Sequence, residues 1–217
     1  MTSDSTQTGT EELGRRAVDD ATLALLLEVA GTPKPGNVDR NRDLADLRFE
    51  TFLGGAVGAR EGLELAAERD GAARIGRAFE RAVAGMAARA GTNAQFGCLL
   101  LLAPLVRASV EAGATGDGLS PERVDRVTEA TTVEDAVDFY RAFEHVGVAV
   151  EAPPPGAADL DVRRGRDAAP ALRERGATLR DVMALSADPA SAADPDESGE
   201  ATADDRVPDR NAREWVE

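Results

Sequence analysis

Apolar side chains recur along this chain at three- and four-residue steps, the spacing of helices that bury one face. The clearest stretch is about 72–90, where Ile75, Phe79, Val83 and Met86 share a face and Gly71 and Gly91 bracket the run. Ahead of it, Thr8-x-x-Glu11 has the form of a capping box and opens a helix to about residue 30, with Glu11 and Glu12 in its first turn. A second helix is predicted over about 47–69, its stripe made of Phe49, Phe52, Leu53, Val57 and Leu63. Residues 96–106 form an apolar block inside an uncharged window bounded by Arg89 and Arg107. That window contains Gly91, Thr92, Asn93 and Gln95, poor lipid-facing residues, and a bilayer needs about 20 predominantly apolar ones. The block therefore predicts a central helix buried on all sides, not a membrane span.

Farther on, Ser120-Pro121-Glu122 reads as the cap and first positions of a short helix to about 130. Thr131-x-x-Glu134 and Thr132-x-x-Asp135 are alternative capping boxes for the next, which turns Val133, Val137, Tyr140 and Phe143 inward. Residues 147–156, with Pro153-Pro154-Pro155, read as a loop, and Val148 and Val150 give the only alternating run. Thr178-x-x-Asp181 caps a further helix through Leu185. The chain thus divides into a disordered N-terminus (1–9), a helical domain (10–187), an acidic disordered insertion (188–206) and the start of a helix (207–217) that carries Ala212, Trp215 and Val216. The expected fold class is all-α, a single compact multi-helix bundle around a buried apolar central helix.

Composition changes this picture in three ways. The 217 residues carry 25 basic and 40 acidic side chains, a net charge of −15, and all but one of the bases are arginine. Such a surface suits a salt-rich cytoplasm, where ions screen carboxylate repulsion; GC-rich codon usage explains the arginines but not the charge. It also excludes a broad nucleic-acid surface, which needs a basic stripe, and leaves an anionic small ligand possible only where cations are gathered locally. Aromatics are 4 %, so the core must be mainly Leu, Val and Ala. Cys98 stands alone, which excludes an internal disulfide or a cysteine zinc cluster. The first residues lack the pattern of a secretory signal, so a cytoplasmic location is expected, with no membrane partner.

No phosphate loop, dinucleotide fingerprint or HExxH motif is present. Gly54, Gly55 and Gly58 fall within a helical pattern and are expected to permit close helix packing. His145 reads as a structural or surface histidine, and Cys98 as a small buried hydrophobe without activation to a thiolate. The unusual segment is Gly31-Thr32-Pro33-Lys34-Pro35-Gly36-Asn37-Val38-Asp39-Arg40. Its prolines stiffen the connector that carries Lys34, the only lysine. Gly36 lets backbone approach a ligand, and Asn37 tolerates unusual backbone angles. Asp39, Asp43 and Asp46 are carboxylates suited to Mg²⁺, interleaved with Arg40, Arg42 and Arg48. Together they read either as a polyphosphate grip or as an ordinary Pro/Gly connector with solvated charges.

Thr-Pro-Lys-Pro-Gly-x-Val-Asp-Arg after a Leu-rich helix resembles the opening of the triphosphoribosyl-dephospho-CoA synthases. Asp46, Phe52-Leu53 and Gly91-x-Asn93-x-x-x-Gly97 extend the resemblance, and residues 178–187 and 212–214 add less specific agreement. The family makes the prosthetic-group precursor of citrate lyase and malonate decarboxylase carrier proteins. The resemblance implies a transferase that joins ATP, through ribose C1, to the 2′-hydroxyl of 3′-dephospho-CoA and expels adenine. On it, Lys34 and Arg40 would meet phosphates, with Gly36 and Asn37 shaping the loop. Asp39 and Asp46 would hold Mg²⁺ or supply the base, and Asn93 would orient ribose or adenine. This chain departs from the pattern at Gln95-Phe96, where the bacterial citrate-lyase enzymes have His-Lys, as in an archaeal-type branch. Family members also continue past the Arg-Glu segment, which implies a shortened C-terminus here. Two other functions stay open: a related transferase with a different acceptor, and a non-catalytic remnant that binds nucleotide or a partner protein.

Overall fold

The computed structural model describes residues 3–68, 73–150, 152–154, 156–187 and Trp215. These form helices α1 (Ser3–Ala30), α2 (Phe49–Gly58), α3 (Arg60–Ala66), α4 (Ile75–Ala90), α5 (Phe96–Thr115), α6 (Pro121–Glu129), α7 (Val133–Ala142), α8 (Ala169–Arg175) and α9 (Leu179–Ala187), with two 3₁₀ segments before α8. Among the described residues no strand is present and the fold is all-α, as expected; the one β-bridge joins Asp39 and Arg42.

Several boundaries differ from the sequence pattern. α1 starts at Ser3, so residues 3–8 are helical rather than outside the helix. Once a helix is nucleated, each added residue gains a hydrogen bond for little extra ordering, and the Thr8 box does not stop it. The second predicted helix breaks at Ala59 into α2 and α3, and Val57 is exposed rather than part of the stripe. The 3₁₀ segments (Ala158–Leu160, Val162–Ala168) and α8 have no counterpart in the sequence reading. The insertion at 188–206 and most of 207–217 lie outside the described residues.

α4 is the centre of the bundle. Its Ile75, Phe79, Val83 and Met86 are all buried, and Gly91 ends it in the left-handed conformation at φ 71°. The scarce aromatics collect on it: Phe79 lies 5.0 Å from Phe96 and 5.5 Å from Phe139, and Phe96 lies 4.9 Å from Phe143 (ring centroids). Against its other face α2 and α3 approach backbone to backbone. A Cβ on Gly58 would sit 2.2 Å from the Gly85 carbonyl oxygen, and one on Gly62 2.2 Å from the Ala82 nitrogen. The glycine run therefore serves close packing, as the sequence implied.

The N-terminus of α4 is held from α7. Asp135 closes the Thr132 capping box, which decides between the two candidate boxes, and its other oxygen accepts the Gly76 N–H at 2.8 Å. The predicted box at Thr178 and Asp181 also forms and starts α9.

α5 is long and apolar enough to cross a membrane by length and composition, and 56 % of that window is buried within the fold. It is not enclosed on every side: Leu99, Leu100, Ala103 and Val106 are buried, whereas Leu101, Leu102 and Leu105 are only partly covered. Arg107 is buried in it and donates to the carbonyls of Ala66 and Ala73, both at 2.8 Å, tying the end of α3 to the start of α4. Pro104 has no N–H for the Leu100 carbonyl, and the buried Trp215 indole supplies one at 3.1 Å.

Candidate active site

Four helix ends meet at one end of the bundle. α1 and α5 run antiparallel, since Leu13 meets Gly113 while the Gln95 amide donates to the Leu25 carbonyl at 2.8 Å. α2 and α4 are antiparallel too, with Gly54 against Arg89 and Gly58 against Gly85. The C-termini of α1 and α4 and the N-termini of α2 and α5 therefore share one end. The 31–48 connector folds over it on a small apolar cluster of Val29, Val38 and Phe52, on which Ala94 also packs. Ala94 thus brings the turn containing Asn93 beside the connector containing Lys34.

The connector is tightly built. Lys34-Pro35-Gly36-Asn37 is a turn closed by the Asn37 N–H on the Lys34 carbonyl at 3.1 Å. Pro35 presets its first inner position, and Gly36 at φ 79° fills the second, where a side chain would be strained. Among the described residues, no atom beyond Gly36 and its chain neighbours lies within 4 Å of where its Cβ would be, so that face of the turn is open. Asn37 accepts the Val38 N–H through its side chain at 2.8 Å.

Asp39 is buried and holds the connector together. Its carboxylate accepts from the Lys34 N–H (2.9 Å), the Asn41 N–H (2.8 Å) and the Thr32 hydroxyl (3.2 Å). These backbone donors, Lys34 first and Asn41 next, hold its carboxyl below the usual range. Asp43 accepts the Phe49 N–H at 2.9 Å, in the manner of a cap for α2. Asp46 and Arg40 are exposed and enter no ion pair or side-chain hydrogen bond among the described residues.

Lys34 does not stand free. Its ammonium pairs with the Glu28 carboxylate and also donates to the Glu28 carbonyl at 3.1 Å, neutralising the C-terminal end of α1. Sequence reasoning missed Glu28; a Glu six positions before a lysine, across a glycine and a proline, gives no helical pairing signal. Cys98 is only partly buried, and desolvation and then Glu28 push its thiol up, consistent with an unactivated cysteine. His145 sits away from this end, paired with Glu80 at 2.7 Å.

Asn93 accepts the Phe96 N–H at 3.2 Å and so satisfies the first backbone donor of α5 from outside the helix. Phe96 itself enters the aromatic cluster, which explains how an apolar residue is accommodated there. Gln95 is buried, and its side-chain oxygen has no hydrogen-bond partner among the described residues. Among the described residues no three His, Cys, Asp or Glu side chains converge as a metal site. Magnesium commonly uses one or two carboxylates plus substrate phosphates, so an isolated Asp46 fits only a metal that arrives on a polyphosphate.

Neither a curated protein nor a solved structure matches the chain. A protein-family model described as ATP:dephospho-CoA triphosphoribosyl transferase matches residues 15–199, which includes the connector, the Asn93 turn and every helix from α2 to α9. On that match the chain belongs to the ATP:dephospho-CoA triphosphoribosyl transferase family, a family of pentosyltransferases.

Proposed function

We propose that the protein transfers the triphosphoribosyl group of ATP to the 2′-hydroxyl of 3′-dephospho-CoA, with release of adenine, at this end of the bundle. The observation that carries the reading is the juxtaposition of the two family-like segments, 32–46 and 91–97, within a chain matched by the family over most of its length. Displacement at ribose C1 develops oxocarbenium character, so the site must activate the incoming hydroxyl, accommodate departing adenine and neutralise phosphate charge.

Arg40 and Lys34 are the proposed phosphate contacts. Arg40 is available as it stands, whereas Lys34 meets a phosphate while leaning on Glu28. Asp46 is the proposed base, because its carboxylate is uncommitted; Asp39, with both oxygens occupied, serves by fixing the connector. Gly36 offers an open backbone face, and Asn93 orients ribose or adenine through its amide. Magnesium is taken as part of the ATP substrate. The acidic surface supports activity in a salt-rich cytoplasm.

The test is adenine release, followed by chromatography in concentrated KCl, from ATP with and without dephospho-CoA. Release that depends on dephospho-CoA is the expected result. Nucleotide binding without release under any acceptor sinks the reading. Gln95-Phe96 favours a second reading, a different acceptor, since the site lacks an imidazole and a cation there; release with another coenzyme or nucleotide acceptor would identify it. Lys34→Ala should weaken ATP binding at matched salt, and unchanged affinity removes Lys34 from the site.

A further inference from the structure

Most described arginines are engaged by a carboxylate, from Arg16 on Glu12 to Arg81 on Glu61 and Arg175 on Asp159. In a chain of net charge −15 this is the ordinary fate of a cation. A few exposed arginines have no ion pair and no side-chain hydrogen bond among the described residues. Arg15, Arg77 and Arg126 are scattered over α1, α4 and α6. The other four, Arg40, Arg42, Arg48 and Arg89, all lie at the end of the bundle described above. Arg42 is a partner in the Asp39–Arg42 bridge and Arg40 lies in the turn it closes, Arg48 immediately precedes α2, and Arg89 is in the last turn of α4, whose backbone lies against Gly54 of α2. The acids nearby do not cancel them all. Asp39 and Asp43 are spent on backbone N–H groups, and only Asp46 and Glu50 remain uncommitted on the connector and the first turn of α2.

We infer that Arg42, Arg48 and Arg89, with Arg40, form a docking surface for the diphosphate or triphosphate chain of an adenine-nucleotide substrate. The inference rests on the proposed site but adds residues to it and makes arginine, not Lys34, its main source of phosphate contacts. Guanidinium suits this use where salt is high, because its fork fixes two hydrogen bonds to a phosphate by geometry as well as by charge. Keeping these side chains free of carboxylates removes a competitor that the rest of this acidic surface supplies in excess.

Calorimetric titration with inorganic tripolyphosphate, at one fixed KCl concentration, tests the surface without requiring turnover. R48Q/R89Q is compared with R15Q/R77Q, which removes the same charge from unpaired positions elsewhere. Neither pair breaks an observed hydrogen bond. The expected result is an affinity loss of about fivefold to tenfold in R48Q/R89Q and less than about twofold in R15Q/R77Q. Equal losses in the two pairs, no loss in R48Q/R89Q, or no binding to the wild-type protein overturns the inference. Parallel titrations with ATP and with dephospho-CoA identify the source of the phosphate chain by which affinity falls. If adenine release is absent while the contrast between the pairs persists, the transfer reading fails and the docking surface stands.

Discussion

The contact between Pro104 and Trp215 predicts a specific pattern of coupled stabilities. Pro104 leaves the Leu100 carbonyl without the N–H that a regular helix supplies, and the Trp215 indole fills the deficit at 3.1 Å. Trp215→Phe keeps an aromatic ring but removes the donor. A buried carbonyl left unpaired costs about 1–3 kcal/mol, and the smaller ring forfeits about 1 kcal/mol of packing. The total is about 2–4 kcal/mol, which lowers Tm by roughly 5–15 °C in a domain of this size. In a Pro104→Ala background, the N–H restored at that position bonds the Leu100 carbonyl within the helix. There Trp215→Phe should cost only the packing part, giving a coupling of about 1–3 kcal/mol between the two positions. Urea and thermal unfolding of the four proteins, followed by far-UV circular dichroism at constant KCl, measures that coupling. Equal costs of Trp215→Phe in both backgrounds would refute the assignment of the indole as the replacement donor.

Other expectations follow from single contacts. Arg107→Met removes the donor to two buried carbonyls while relieving a desolvated cation, and should lose about 2–4 kcal/mol; because the contact is buried, the loss should be the same in low and high KCl, and a strong salt dependence would argue against it. Gly62→Ala places a methyl 2.2 Å from the Ala82 nitrogen and should cost about 1–3 kcal/mol or more, whereas Gly54→Ala, whose nearest neighbour would be 3.5 Å away, should gain up to about 1 kcal/mol of helix propensity. Chemical denaturation of the pair decides whether close approach, rather than glycine flexibility, is what α2 and α3 require. Glu144 accepts from the Arg166 side chain and N–H, and that guanidinium brings its carboxyl down to about 2. With the folded value depressed, its stabilisation is complete above the unfolded value of 4.5 and is lost as pH falls from there toward 2. Glu144→Gln should flatten stability across that interval, and an unaltered pH profile would discount the pair.

The helices with a clear face were legible from the sequence because their burial follows directly from spacing: α4 and α7 each turn inward the residues their periodicity named. The capping boxes at Thr132 and Thr178 were legible for the same local reason. The break at Ala59 was not, since Ala59 and its neighbours favour helix and tertiary packing imposes the bend. The 158–175 region was missed because short 3₁₀ turns lack a full apolar period; its order depends on remote partners such as Tyr140, whose hydroxyl donates to the Leu160 carbonyl at 2.5 Å. At the candidate site, the connector's stiffness could be read from Pro33, Pro35 and Gly36. The Lys34–Glu28 pair and the inward commitment of Asp39 could not, because both depend on how the connector folds back on itself and on the end of α1. Nor does composition reveal which arginines lack partners.

The contact of α2 and α3 with α4 has a consequence for how the molecule responds to heat and motion. Side chains in an ordinary helix interface give up rotamers when it forms and recover them by loosening. Where Gly58 meets Gly85 and Gly62 meets Ala82 there are no torsions to surrender, and no alternative interlocking into which the surfaces could slip. Such a seam has little thermal softness of its own. The α2 N-terminus and the α4 C-terminus, which carry Arg48 and Arg89, are therefore expected to move as one piece, keeping a constant span while the connector between α1 and α2 adjusts around them.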